Sequence, residues 1–336
     1  MQTITARNVN DAFAVGIMYL NHQGVRHNSR NGPVLELPTP LSVEYKVPQE
    51  RVLFDKKRAI NPFLHFFEPL WILAGRNDVK FLSDIVGRFK DYSDDGVHFH
   101  GAYGFRLRNM KYDQVTVAIE RLRTNPDDRR VVLMINNEED TVYTGKDRPC
   151  NIAITCKVRN KKLNICVYNR SNDFIWGLAG ANMPQFSVLQ EYMAGCMGYE
   201  VGTYHQITDN CHVYTDNPQW ELLKDTPLTP ADPYMQPDLV SGRCPEVRPL
   251  PLFREGENIS LFDYDLIRFF SHYVLHGLKT NENLPDFRST YFREVVNPMW
   301  LAFTHHKGWK NGLLFAKTVV AEDWRLVTTN WLKERE

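Results

Sequence analysis

The chain has no excess of either charge, which excludes functions that depend on a strong overall field. Forty Lys and Arg residues are matched by forty Asp and Glu residues, so the formal net charge of the 336 residues is zero. Broad nonspecific binding of nucleic acid or of an anionic membrane is therefore not expected, although local arginines can still bind a phosphate. With 43% hydrophobic and 24% charged residues, the composition is that of a globular protein of one large domain or two ordinary ones.

Long apolar runs, internal repeats and paired cysteine motifs are also absent from the sequence. No segment approaches the ~18 apolar residues of a transmembrane helix, and the first residues lack the pattern of a secretory signal. The six cysteines form no Cys-x-x-Cys pair. We therefore expect reduced, mostly buried thiols and a cytoplasmic location.

A metal site is not expected either. Asp94, Asp95, His98 and His100 are close in sequence. Their spacing matches no common ligand motif, so an exposed polar loop is the preferred interpretation.

Hydrophobic periodicity predicts alternating helices and strands. Helices are predicted over residues 9–20, 62–75, 113–124 and 183–197, and strands over 34–48, 131–135, 152–158, 163–168 and 204–214. Residues 24–33 are expected to form a polar loop. The segment 62–75 is apolar all round, which is typical of a buried helix, yet it contains Glu68. A buried carboxylate costs several kcal/mol unless it is paired or protonated. Glu68 is therefore either a partner in a buried hydrogen-bond network or a functional acid.

A thiol and an anion-binding pair occur close together in the middle of the chain. Cys150 begins an apolar strand, and neighbouring arginines would lower the pKa of its thiol. Arg170 and Ser171 combine a charged fork of donors with a hydroxyl donor. A cysteine beside phosphate anchors predicts nucleophilic attack on a phosphorylated substrate.

Other arginines have two interpretations each. Arg30 stands in a glycine-bearing polar segment that is either an ordinary surface turn or a phosphate loop. Arg129 and Arg130 precede a strand, where they are either solvated or form a phosphate clamp.

A collinear series of motifs over residues 10–270 resembles the thymidylate synthase family. The motifs are Asn28-to-Gly32, Phe67-Glu68-Pro69-Leu70-Trp71, Tyr103-Gly104, Asp127-Asp128-Arg129-Arg130, Pro149-Cys150, Arg170-Ser171-Asn172-Asp173, Gly177-Leu178, Asn182, Gly202, His212-Val213-Tyr214, Arg248-Pro249-Leu250-Pro251 and Phe262-Asp263-Tyr264. The resemblance implies an α/β (α+β) fold: a large mixed, mostly antiparallel sheet flanked by helices, whose face forms a homodimer interface. It covers a catalytic domain of residues 1–270, and we expect residues 271–336 to be an added helical C-terminal extension packed on that domain.

The chemistry implied by the resemblance is one-carbon transfer to a pyrimidine nucleoside monophosphate. A cysteine thiolate, here Cys150, adds to C6 of the base and makes C5 nucleophilic toward the one-carbon unit of 5,10-methylenetetrahydrofolate. Loss of tetrahydrofolate leaves an exocyclic methylene. Hydride from the folate then gives a methyl group in thymidylate synthases, whereas water gives a hydroxymethyl group in the nucleotide hydroxymethylases of the same family.

The resemblance also assigns roles to individual residues. Catalytic roles fall to Cys150, to Glu68 through a proton-transfer water, and to Asp173, which also binds the folate pterin. Substrate binding falls to Arg30, Arg170 and Ser171 with Arg129 and Arg130 of a partner subunit (phosphate), His212 and Tyr214 (sugar), Asn182 (base edge) and Tyr103. Trp71 and Phe89 complete the folate side.

Departures from the synthase pattern favour the hydroxymethyl product. Asn151 replaces a histidine after the nucleophile, and Phe89 replaces a tryptophan beside the folate. Some sixty-five residues with a charged end stand where synthases have a short apolar closing tail. Hydride transfer needs water to be excluded, so these departures suit an enzyme that adds water. Residues 159–164 and 170–173 also resemble the phage deoxycytidylate hydroxymethylase, and a phage-encoded enzyme would act in the host cytoplasm.

Two alternatives to hydroxymethylation stay open at this point. One is a thymidylate synthase, which converts dUMP to dTMP by reductive methylation. The other is a non-catalytic nucleotide- or RNA-binding relative, against which the presence of Cys150, Glu68, Arg170 and Asn182 argues.

The choice of base depends on Asn182. Its carboxamide both donates and accepts, which suits N3–H and O4 of uracil, whereas the cytidylate branch carries an aspartate. This favours dUMP over dCMP or CMP. The segment Ala179-Gly180-Ala181 is one residue longer than in synthases and would displace the amide, so a cytidylate and either sugar stay open.

Overall fold

One mixed sheet forms the centre of the computed structural model, which describes residues 1–225, 232–235, 247–278 and 284–335. Its strands are β1 (Gln2–Ala6), β2 (Val25–Ser29), β3 (Gly32–Glu36), β4 (Leu41–Tyr45), β5 (Val132–Met134), β6 (Asn151–Arg159), β7 (Lys162–Asp173) and β8 (Glu200–Tyr214). The order is β1-β4-β8-β7-β6-β5, and β3 joins β2 to β8. The pairs β1–β4 and β7–β8 are parallel and the other pairs antiparallel. The predicted mixed, mostly antiparallel sheet is confirmed.

Helices flank the sheet. They are α1 (Val9–Gln23), α2 (Pro62–Leu73), α3 (Val79–Ile85), α4 (Tyr103–Arg108), α5 (Gln114–Thr124), α6 (Glu139–Val142), α7 (Asn182–Met197), α8 (Pro218–Leu223), α9 (Ile259–His276), α10 (Asn297–Thr304), α11 (Trp309–Ala316) and α12 (Glu322–Lys333). A 3₁₀-helix covers Gly87–Tyr92, and π-helical turns cover Phe174–Ala181 and Phe292–Val296. Within the described part of the chain, no helix has the length and apolar character needed to cross a membrane.

Helix α2 is the central buried helix, as its composition predicts. Asn61 caps it by accepting hydrogen bonds from the backbone N–H groups of Phe63 and Leu64, and Pro62 occupies the first turn, where its missing N–H costs nothing. All twelve residues of α2 are buried. Glu68 is therefore carried by a rigid element whose position is fixed by packing on every side.

The C-terminal helices pack directly on α2. The ring of Phe66 lies 5.2 Å from that of Trp324, and the ring of Phe67 lies 5.5 Å from that of Trp300. Residues on both sides of position 270 belong to one hydrophobic core, and α9 runs across that position. The division at residue 270 stays a prediction.

Two local expectations were wrong. Residues 24–33 form most of a hairpin rather than a loop, since β2 pairs with β3 around a turn at Arg30 and Asn31. Gly32 adopts φ 130°, a conformation that favours glycine, and closes this turn. Residues 34–48 form parts of two strands rather than one, because Pro38 and Pro40 cannot donate the backbone hydrogen bonds of a continuous strand. The segment 226–251, whose prolines are typical of a connector, lies largely outside the described residues.

Candidate active site

Cys150 and Glu68 line the same small cavity. It has a volume of about 210 Å³, and its walls include Tyr103, Asp147 and Gln185. Since these residues come from α2, α4, α7 and the segment before β6, the cavity exists only in the folded chain. The pairing of a thiol with a carboxylic acid at one cavity is what the resemblance implies.

A second, larger cavity adjoins the first. Its volume is about 1000 Å³, and the two cavities share Phe89 and Tyr92 as wall residues. Arg30, Asp173 and Tyr214 line the larger cavity. Its size suits a ligand much larger than a base, such as a nucleotide phosphate together with an extended second molecule.

Arg170 contacts both Cys150 and the preceding Pro149. It lies opposite Cys150, where its backbone N–H donates to the carbonyl of Cys150 at 3.0 Å and its side-chain Nε donates to the carbonyl of Pro149 at 2.9 Å. Its Nη2 lies 3.7 Å from Cys150 Sγ. Arg170 and Arg30 act to lower the pKa of the thiol, but burial has the larger effect and raises the pKa above its ordinary value. The expected net lowering was therefore wrong, because it ignored burial.

Glu68 lies in a buried polar site, and its role as a functional acid stays a prediction. Burial raises the pKa of its carboxyl to about 7, and a hydrogen bond from Gln185 opposes that rise. Its Oε2 atom is buried without a hydrogen-bond partner. The group is thus a member of a polar network and also an acid that exchanges its proton near neutral pH, as proton transfer requires.

The parallel strands β7 and β8 bring the sugar- and phosphate-binding candidates together. Asn210 Oδ1 accepts a hydrogen bond from Ser171 Oγ at 3.3 Å and lies 2.9 Å from His212 Nδ1. The rings of His212 and Tyr214 are 5.2 Å apart, and Asn31 beside Arg30 donates to the Tyr214 hydroxyl at 3.5 Å. Arg30 and Tyr214 line the larger cavity, whereas Ser171 and His212 are connected to them along the strands and are not among its wall residues.

Asp173 caps the π-helical segment and faces the larger cavity. Its Oδ1 accepts hydrogen bonds from the backbone N–H groups of Ile175 at 2.9 Å and Trp176 at 3.1 Å. Burial raises the pKa of Asp173, while these bonds and the charges of His212 and Arg58 oppose the rise. The residue is thus held by the start of this segment at the boundary of the cavity.

Sequence reasoning missed a pair of cation–π contacts in this cavity. The guanidinium groups of Arg58 and Arg88 each lie 4.3 Å from the ring centre of Trp176, and all three residues line the cavity. Arg58 is 1% exposed, and its Nη2 atom has no hydrogen-bond partner. The only signal in the sequence was a large aromatic residue three positions after Asp173.

Asn182 is 5% exposed and is flanked by wall residues of both cavities, Ala181 of the larger one and Gln185 of the smaller one. Its Oδ1 accepts hydrogen bonds from Asn172 at 2.8 Å and Gln206 at 3.1 Å, and its Nδ2 donates to Gln185 at 2.9 Å. A Cβ at Gly177 would lie 1.8 Å from Asn172 Oδ1, so only glycine leaves room for this arrangement. The segment before Asn182 is a π-helical turn with non-helical backbone at Gly180.

The remaining predicted residues lie in different places. Trp71 and Phe89 line the small cavity, and Trp71 donates to Asp78 at 3.2 Å. Arg129 and Arg130 are exposed and line neither cavity of their own chain. In the part of the chain that the structure describes, no group of three His, Cys, Asp or Glu residues is placed to hold a metal ion.

Comparison with known proteins agrees with this geometry. Residues 17–265 match the model of the thymidylate synthase family. The chain is 38% identical to the deoxyuridylate hydroxymethyltransferase of Pseudomonas phage M6, over 100% of this chain and 95% of the relative. It is 45% identical to the protein of the same name from Bacillus phage SP01, over 55% of this chain and 52% of that relative. It is also 35% identical to a thymidylate synthase of Bacillus subtilis subsp. natto, over 60% and 71% of the two chains. The chain belongs to the thymidylate synthase family.

Proposed function

We propose that this protein is a one-carbon transferase that converts dUMP to its 5-hydroxymethyl derivative with methylenetetrahydrofolate as the donor. The observation that carries the proposal is the shared cavity of Cys150 and Glu68, which opens beside a cavity of about 1000 Å³. The product is chosen from the match over the whole chain to a deoxyuridylate hydroxymethyltransferase, which includes residues beyond the family match at 265.

Cys150 is the nucleophile in this proposal. Its thiolate adds to C6 of the base, and Arg170 fixes the sulfur through the contact at 3.7 Å. Burial raises the pKa of the thiol and so disfavours the thiolate. The positive charges of Arg170 and Arg30 act in the opposite direction and favour it. The same arginines are placed to receive the substrate phosphate, with Ser171 as a hydroxyl donor.

Glu68 is the proton-transfer group in this proposal. Its carboxyl, with a pKa of about 7, is placed in the cavity of Cys150 on a helix that cannot shift. A carboxyl with a pKa near 7 is half ionised at neutral pH, so it can both accept and donate a proton during the reaction. Addition of water to the exocyclic methylene at C5 and departure of Cys150 from C6 complete the reaction.

The residues of the larger cavity fit a folate. Methylenetetrahydrofolate, when bound, supplies the carbon that is transferred. Asp173 offers a carboxylate to a pterin, and the unpartnered Nη2 of Arg58 offers a buried donor to an anionic group. The described cysteines are free thiols, which agrees with the reduced interior of a cell where we place the reaction.

The network around Asn182 favours uracil over cytosine. Its oxygen already accepts two hydrogen bonds, so an N–H is the group left to meet the base. A donor suits the C4 carbonyl of uracil, whereas the amino group of cytosine would place two donors together. We expect kcat/KM for dUMP to exceed that for dCMP by about 10²-fold or more.

Assays with dUMP, dCMP, UMP and CMP test the choice of substrate. Each nucleotide is incubated with methylenetetrahydrofolate, and the products are separated and identified by mass spectrometry. Preferred turnover of dCMP or of a ribonucleotide would contradict the choice of substrate but leave the reaction type intact. Dihydrofolate formation would instead identify a thymidylate synthase.

A homodimer would complete the phosphate site, with Arg129 and Arg130 of one subunit reaching the cavity of the other. Both arginines are exposed on their own chain. A heterodimer of an Arg129→Ala,Arg130→Ala subunit and a Cys150→Ala subunit therefore contains one intact site, and we expect it to recover about half of the wild-type activity. Each parent homodimer is the control. No recovery in heterodimers purified with two different tags would contradict the shared site.

A further inference from the structure

Gln185 joins two parts of the site that the sequence treats separately. It is 4% exposed and lines the cavity that holds Cys150 and Glu68. Its Oε1 accepts the hydrogen bond from Asn182 at 2.9 Å. Glu68 Oε2 has no hydrogen-bond partner in that cavity, and the neighbouring Gln185 carboxamide acts to lower the pKa of the Glu68 carboxyl. We propose that Gln185 is a positioning residue of the reaction, which holds Glu68 in place through the amide network that contains Asn182.

The direction of the hydrogen bonds in this network is determined by its neighbours. Asn172 and Gln206 donate to the Asn182 oxygen, so the Asn182 nitrogen donates onward to the Gln185 oxygen. The Gln185 oxygen is thus occupied by Asn182, and its nitrogen is the end of the carboxamide left to donate to Glu68. A chain of amides with one fixed direction thus ends in a donor on the carboxylate.

The same network reaches the residue after the nucleophile. Gln206 donates to Asn169 at 3.0 Å, Asn169 donates to Asn151, and Tyr204 donates to Gln206 at 2.8 Å. Asn151 follows Cys150 directly in the chain. A continuous set of buried amides therefore connects the residue after Cys150 with Gln185, the member next to Glu68. This set holds Glu68 in a fixed position relative to Cys150.

The proposed donor has a defined effect on proton exchange at Glu68. A donor stabilises the ionised carboxylate, so it lowers the pKa that burial raises to about 7. The other titratable groups that line the cavity are Tyr92, Tyr103, Asp147, Arg148 and Cys150. The pKa of Cys150 and that of Tyr103 lie above their ordinary values. Burial also raises the pKa of the Asp147 carboxyl, so the titration of Glu68 is identified by its loss in Glu68→Gln.

Replacing Gln185 with methionine keeps the length of the side chain and removes the donor. Because the proposal rests on the proposed function, it is tested first by the pH dependence of hydroxymethyl transfer from dUMP. We expect the midpoint assigned to Glu68 to rise by about one pH unit, whichever protonation state is active. The variant Gln185→Glu adds a like charge, and we expect it to raise the midpoint at least as far.

Gln190→Met is the matched control. Gln190 is also a buried carboxamide of α7, but it donates to the backbone carbonyls of Leu163, Gly202 and Thr203 and not to Glu68. We expect this variant to be less stable without a change in the midpoint. A Gln185→Met midpoint equal to that of the wild type would overturn the proposal, as would an equal rise in Gln190→Met.

A direct titration of Glu68 separates this inference from the proposed function. The carbon-13 signal of the Glu68 carboxyl, identified by its loss in Glu68→Gln, is followed against pH in the wild type and in Gln185→Met without any substrate. A higher midpoint in the variant supports the inference even if the wild type has no transferase activity, which would overturn the proposed function alone. If Gln185→Met does not fold, Gln185→Glu decides: a raised midpoint supports the inference and an unchanged one overturns it.

Discussion

Replacing Cys150 with alanine is expected to lower turnover of dUMP by about 10⁴-fold or more, since the covalent bond to C6 has no substitute. The alanine side chain still fits the cavity, because it is smaller than the thiol it replaces. Arg170 also keeps its hydrogen bond to the carbonyl of Pro149. We therefore expect binding of dUMP to change by less than about tenfold. Steady-state kinetics and calorimetric titration with dUMP measure the two effects separately.

Cys156→Ala is the control for this variant. Cys156 lies on β6, the strand that follows Cys150, is buried in the core, and has its pKa raised to about 12 by burial. It is therefore an inert thiol, and its replacement should leave kcat within about twofold of the wild type. Retention of activity in Cys150→Ala, or its loss in a folded Cys156→Ala protein, would contradict the assignment of the nucleophile.

Replacing Glu68 with glutamine should lower kcat by about 10²- to 10⁴-fold, because the amide cannot exchange a proton. It should also stabilise the fold at high pH. The folded-state pKa of Glu68 is about 7 against an ordinary value of 4.5, so the unfolded chain loses its proton first as the pH rises. The cost of burying the charge grows between pH 4.5 and 7 and is complete above pH 7, where glutamine removes up to about 3 kcal/mol of it.

Urea unfolding of Glu68→Gln and of the wild type at pH 5 and pH 8 measures this cost. The difference in free energy of unfolding between the two proteins should favour the variant more at pH 8 than at pH 5. Glu44→Gln, at a partly exposed position of β4, is the control and should show a smaller pH dependence. A Glu68→Gln variant with the kcat of the wild type would contradict a role of Glu68 in the reaction. An equal difference in the free energy of unfolding at both pH values would contradict the raised pKa of Glu68.

Periodicity and motif order were sufficient to predict most of the architecture. The helix predicted over 113–124 is α5, capped by Asp113, and the paired strands around residues 159–162 are β6 and β7. Both depend on contacts between residues that are close in sequence. The hairpin of β2 and β3 was missed because all five residues of β2 are exposed, so no apolar alternation marks it.

Properties of the site that depend on distant residues could not be read from the sequence. The net pKa of Cys150 depends on how deeply the fold buries the thiol, whereas the sequence shows only its basic neighbours. Arg58 meets Trp176 across more than a hundred positions of the chain. The roles of Asn182 and Gln185 likewise depend on which amides surround them, because a carboxamide can donate in one direction as readily as in the other.

The origin of the new hydroxyl group tests the central claim most directly. The protein is incubated with dUMP and methylenetetrahydrofolate in water enriched in oxygen-18, and the mass of the nucleotide product is measured by mass spectrometry. If water adds to the methylene at C5, the product is 5-hydroxymethyl-dUMP that carries one oxygen-18 atom, and tetrahydrofolate is released. Formation of dTMP without label, together with dihydrofolate, would contradict the account and show that hydride completes the reaction.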